Sequence, residues 1–127
     1  RELAFDTIEL NRYFKSDDTS CSILVPFHGT EIRKVAEEKG YIDKDSIFTI
    51  SNTSEDSVLD MPQWPKEDIV KLRNTFAMYV KFPKNRWPEI KKAEDDSEIH
   101  KKLSDEFIDT YWSDRDKDVK EAAKGLI

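Results

Sequence analysis

The spacing of apolar residues along this chain changes character near residues 20, 30 and 65. Over residues 2–15, Leu3, Ala4, Phe5, Ile8, Leu10, Tyr13 and Phe14 recur with the helical period and give one broad apolar face. Ser16-Asp17-Asp18-Thr19 follows as a turn cluster. From residue 20 the period drops to two. Cys21, Ile23, Val25 and Phe27 fall on one side, and Ser20, Ser22 and Leu24 on the other, the pattern of a buried strand. Pro26-Phe27-His28-Gly29-Thr30 then turns the chain into an amphipathic helix. Thr30 suits its cap, because the hydroxyl can accept from an unpaired first-turn N–H. Gly40 suits its end, because glycine takes the left-handed conformation at low cost.

A strand feeding a helix is half of a crossover unit and needs a second strand beside it. The other β-prone run is Ile47-Phe48-Thr49-Ile50. Residues 51–57 read as a polar, exposed loop, and 58–64 (VLDMPQW) as an extended segment interrupted by Pro62. Pro65 then opens the clearest helix, 66–82, with Ile69, Leu72, Phe76, Tyr79 and Val80 at helical spacing and Pro83 at its end. Glu67 and Asp68 favour the positive end of its dipole. Trp87-Pro88 opens a short helix to about residue 93, interrupted at Glu94-Asp95-Asp96. A last helix spans 97–112, with Ile99, Leu103, Phe107, Ile108 and Tyr111 on one side. Residues 113–127 are highly charged and either fray or form a solvated helix. The fold class expected is α+β: a helix–strand–helix unit in 1–42, an irregular linker with a short strand in 43–64, and a helical region in 65–127.

Charge narrows the function classes. Of 127 residues, 38% are charged and the net charge is −6, which argues against nucleic acid or an anionic membrane as a partner through bulk charge. No apolar run reaches the ~18–20 residues that span a bilayer. A single cysteine excludes an internal disulfide and a cysteine-built zinc site or iron–sulfur cluster, and makes a reducing, cytoplasmic setting the default. With three glycines, and neither the GxGxxG nor the Walker pattern, there is no Gly-rich phosphate loop.

His28 is the first candidate for chemistry, because ligands bind at the carboxyl ends of parallel strands. The commoner use of a histidine in a turn is structural or solvated. His100, followed by Lys101 and Lys102, reads as exposed, and the two histidines lack ligand spacing. Cys21 on an apolar face behaves as a small hydrophobe. The acidic pairs Glu37-Glu38, Asp95-Asp96 and Asp105-Glu106 sit beside lysines and read as solvated faces. Trp64, Trp87 and Trp112 read as packing anchors. No residue set suffices for catalysis.

Three segments carry a family resemblance: FDTIELNRYFKSDDTSCSILVPFHGTEIRKVAEEKGYI, MPQWPKEDIVKLRNTFAMYVKFP and PKNRWPEIKKAE. Their order resembles the carboxyl-terminal part of radical S-adenosylmethionine enzymes with a cobalamin-binding domain, relatives of the anaerobic magnesium-protoporphyrin IX monomethyl ester cyclase. The first segment is similar to the last helix and strand of the family's partial TIM-like barrel and its P-aromatic-x-G-T turn. His28 stands where the family often has proline. The resemblance implies a [4Fe–4S] cluster on a CxxxCxxC motif, S-adenosylmethionine and, for this subgroup, cobalamin. Neither CxxxCxxC nor the cobalamin signature DxHxxG is present, so both are expected upstream of Arg1, and no cofactor is expected on this stretch alone. By position in the family, Phe27, His28 and Thr30 would lie at the barrel mouth, near cofactor or substrate.

The resemblance thus implies an inactive carboxyl-terminal piece of an oxidoreductase, cyclase or methyltransferase-like enzyme. Its partners would be the remainder of the parent chain and a small-molecule substrate. The isolated strand would either dimerise through 20–27 or be covered by 47–50. The alternative is a small acidic α+β module that binds a protein through the surface between Trp64 and Trp87.

Overall fold

The computed structural model describes residues 1–48 and 56–112. Its elements are helices α1 (Glu2–Phe14), α2 (Glu31–Glu38), α3 (Lys66–Lys81), α4 (Trp87–Ala93) and α5 (Ser97–Phe107). A 3-10 turn, Lys84–Arg86, links α3 to α4, and a π-helical turn, Ile108–Trp112, continues α5. The helical spacings in 2–15, 66–82, 87–93 and 97–112 thus formed helices at those places.

The main core lies where α1 and α3 meet and α4 and α5 close over them. Ile8, Leu72, Tyr79, Ile90 and Leu103 are buried at its centre. Phe5, Tyr79 and Trp87 pack edge-to-face with ring centroids 5.0 to 5.5 Å apart. Arg12 pins α1 to the end of α3. Its Nη1 donates to the carbonyls of Tyr79 (2.9 Å), Val80 (2.7 Å) and Phe82 (2.7 Å). The last carbonyls of a helix lack intrahelical partners and form the negative end of its dipole, which is where a guanidinium gains most.

α2 is delimited by local chemistry. Thr30 Oγ1 accepts from the Arg33 N–H at 3.3 Å. Gly40, at φ +68°, lets its N–H reach the Glu37 carbonyl (3.1 Å) while the Tyr41 N–H reaches Ala36 (2.8 Å). These are the two bonds of a Schellman stop. The helix then packs through Ala36 on Ile42 and Leu59, a smaller cluster joined by Tyr41, Phe48 and Met61.

The expected α+β architecture, with a helix–strand–helix unit from the end of a barrel, is overturned. Among the described residues there is no β-strand, sheet or barrel. Residues 20–26 keep the side-chain alternation of a strand: Ile23 and Val25 are buried and Ser22 and Leu24 exposed. What they lack, among the described residues, is a neighbour paired through the backbone. No backbone–backbone hydrogen bond joins them to another described segment, and a ladder of such bonds is what makes an extended segment a strand. Of the run 47–50 expected to cover that segment, Ile47 is exposed, Phe48 lies under Arg33, and residues 49 and 50 lie outside the described residues. The charged stretch 113–127 and most of the loop at 51–57 also lie outside them.

Candidate functional site

The extended segment forms one wall of an apolar cavity of about 310 Å³. Ala4 and Thr7 of α1 stand on one side, residues 21–24 on a second, and Leu72, Arg73 and Phe76 of α3 on a third. Ser57, Leu59, Met61 and Trp64 complete it, held by a tight turn in which the Trp64 N–H donates to the Met61 carbonyl at 3.0 Å. The wall hydroxyls of Thr7 and Ser57 are occupied, donating to the carbonyls of Leu3 (3.1 Å) and Leu59 (3.1 Å). Burial pushes the Cys21 thiol upward in pKa, against the opposing pull of the Arg73 charge, so the sulfur is a neutral thiol at neutral pH. Cys21 thus lines the cavity as a small hydrophobe.

Phe27, His28 and Thr30 are placed together, in the turn that enters α2, and none of them lines this cavity. Phe27 is 41% exposed, and His28 and Thr30 are exposed. The Thr30 hydroxyl is committed to the turn, donating to the Phe27 carbonyl at 2.7 Å and accepting from Arg33. His100 borders a separate polar hollow with Lys71, Asn74 and Asp95. Among the described residues no group of three or more His, Cys, Asp or Glu is placed to hold a metal ion. Among the same residues no helix is long and apolar enough to cross a membrane.

Two charged hubs escaped the reading of the pattern. Arg33, in the helix read only as amphipathic, is 2% exposed. It pairs with Glu37 at 2.5 Å and donates to the carbonyls of Lys44 (3.1 Å) and Ser46 (3.0 Å), stacked over Phe48. The faint signal was the Arg33/Glu37 spacing of four. Glu94, read only as part of a helix interruption, has a fully buried side chain that accepts from Tyr79 Oη (2.7 Å), Arg1 (2.5 Å) and Lys91 (2.7 Å). Burial alone would raise the Glu94 pKa, but the hydrogen bonds from Lys91, Tyr79 and Arg1 outweigh it and hold the carboxyl below its ordinary value.

Several large apolar side chains face outward instead. Leu3, Leu10 and Phe14 fall on one stripe of α1 and are 81%, 54% and 69% exposed. On α2, Ile32 and Val35 are exposed while Arg33 is turned in. Trp64 and Trp87, in contrast, are half-buried, and Trp87 is consumed in packing against Phe5 and Tyr79. No family model, curated protein or solved structure matches this chain.

Proposed function

We propose that this chain is the carboxyl-terminal, non-catalytic region of a cytoplasmic radical S-adenosylmethionine enzyme of the cobalamin-binding kind. Its task in this reading is to dock onto the cluster-bearing part of the same enzyme. The observation that carries it is the extended segment 20–26. Its inner side chains are buried, yet its backbone N–H and C=O groups find no backbone partner among the described residues. An extended edge of this kind is suited to pairing with another polypeptide segment. The outward apolar stripe of α1 and the exposed Ile32 and Val35 of α2 give such a neighbour further surface to cover. In the docked enzyme, Phe27, His28 and Thr30 would face cofactor or substrate, and the substrate would be a tetrapyrrole or another molecule undergoing radical methylation or ring closure. The cluster, S-adenosylmethionine and cobalamin would be held by the other part.

The test is anaerobic purification of the protein encoded by the whole reading frame, with iron, sulfide and cobalt assays. About four irons per chain together with an upstream CxxxCxxC would support the enzyme, and cobalt its corrinoid subgroup. A start codon immediately before Arg1, or a metal-free full-length protein, would overturn it. A second reading would then lead: a small acidic module that binds a separate protein through the exposed α1 stripe, in place of the Trp64–Trp87 surface expected from the sequence, since Trp87 packs on Phe5 and Tyr79.

A further inference from the structure

Two hydrogen-bond donors at the apolar cavity remain unspent. The Trp64 indole Nε1–H is buried and has no partner among the described residues. The Arg73 guanidinium, with five N–H donors to place, donates from Nη1 to the Asn74 side chain at 3.0 Å and has no carboxylate partner among the described residues. An unpaired buried donor costs free energy unless something supplies an acceptor. The Thr7 and Ser57 hydroxyls of the wall spend their own protons within the chain, on the Leu3 and Leu59 carbonyls.

We propose that this cavity binds a small molecule with an apolar body and a single carboxylate, whose oxygens accept from Arg73 and from Trp64 Nε1. Size, polarity and charge each contribute. A volume of about 310 Å³ stands at the small end of the ~300–1,000 Å³ range of ligand pockets, which fits a small molecule and not a folded partner. The lining of Ile23, Leu72, Phe76 and Met61 matches an aliphatic or aromatic body. Among the described residues Arg73 is the one cation in the lining, so a monoanion neutralises it, whereas a phosphate dianion would leave charge uncompensated. The planar carboxylate also suits a guanidinium fork. This site does not depend on the radical-enzyme reading.

The experiment is calorimetric titration of octanoate, 1-octanol and acetate into the full chain, with the Trp indole N–H resonances followed in parallel. Octanoate should bind saturably, one per chain, more tightly than either octanol or acetate. One indole resonance should shift downfield on saturation and be the one that Trp64→Phe removes. Arg73→Gln should weaken octanoate by about tenfold or more and leave octanol binding unchanged. The proposal is overturned by absence of saturable octanoate binding up to low millimolar concentration. It is equally overturned if octanol matches octanoate on the unaltered chain, a comparison that needs no variant to fold, or if folded Arg73→Gln binds octanoate as before.

Discussion

Replacing Glu94 by alanine should be among the most damaging single changes in the helical core. The buried partner is the Tyr79 hydroxyl, which donates to Glu94 Oε1 at 2.7 Å and would be left without an acceptor. A stranded buried donor costs roughly 1–3 kcal/mol. The ion pairs add less. Arg1 and Lys91 have side chains 28% and 56% exposed, so water screens them, and each pair is held to about 0–1 kcal/mol. The sum for Glu94→Ala is about 1–5 kcal/mol. Tyr79→Phe removes the donor and leaves the carboxylate its two cations, so about 1–2 kcal/mol is expected. Urea unfolding of the two single variants and the double variant gives the coupling. The double variant should cost less than the sum of the singles by about 1 kcal/mol, well beyond the ~0.5 kcal/mol scatter of independent sites. Additive losses would refute the shared hydrogen bond. The pH dependence tests the charge. Because the folded-state pKa of Glu94 lies below its unfolded value, ionisation stabilises the fold fully above the unfolded pKa of about 4.3. That stabilisation is lost as pH falls below this value and through the folded-state pKa. The stability gap between the parent and Glu94→Gln should therefore shrink on acidification below about pH 5. A gap that stays constant or widens there would show that the ionised carboxylate is not the favoured form.

Arg33→Met should release the loop that follows α2. The guanidinium donors to Lys44 and Ser46 disappear, and Glu37 loses its partner. A loss of about 2–4 kcal/mol is expected, together with faster amide exchange at Ser46 and Asp60, whose N–H groups bond Asp43 and Tyr41. Unchanged exchange at both would sink the assignment. Arg12→Gln should fray the end of α3 at a cost of about 1–2 kcal/mol, read as faster exchange of the Phe82 N–H that bonds Met78. Arg12→Lys, retaining the charge but not the fork, should fall between; equal exchange in all three would refute the capping role.

Local chemistry was legible in the sequence, and partners distant in the chain were not. The limits of α2 followed from Thr30 and Gly40, because a cap hydroxyl and a left-handed glycine act on backbone groups a few residues away. The helical spacing around Leu72, Phe76 and Tyr79 was equally readable, since an apolar stripe is a property of the helix itself. The cavity was only half legible. The alternation around Ile23 placed that side chain inward, but its opposite wall comes from Leu72 and Phe76, about fifty positions further on. The hubs at Arg33 and Glu94 were hidden for the same reason: their charges are tolerated inside because the carbonyls of 43–46 or the side chains of Arg1 and Tyr79 arrive from elsewhere.

The contrast between residues 20–26 and α2 shows why a correct local pattern led to an incorrect fold class. Alternate burial of Ile23 and Val25 is a property of one extended chain, and it is present. A strand is a property of two chains or segments, because its hydrogen bonds run sideways. α2 needs no neighbour for its backbone bonds, so it forms as expected, but its orientation is set by what the surroundings contribute. With carbonyls of 43–46 on its inner side, the helix turns Arg33 inward and leaves Ile32 and Val35 in solvent. Covering those two side chains together with the open edge of 20–26 would bury apolar area on α2 and satisfy backbone groups on the segment before it. Both gains lie along the stretch that leads through Phe27, His28 and Thr30. A docked partner should therefore slow amide exchange at 20–26 and bury Ile32 and Val35 together; protection of one without the other would mean that they belong to different surfaces.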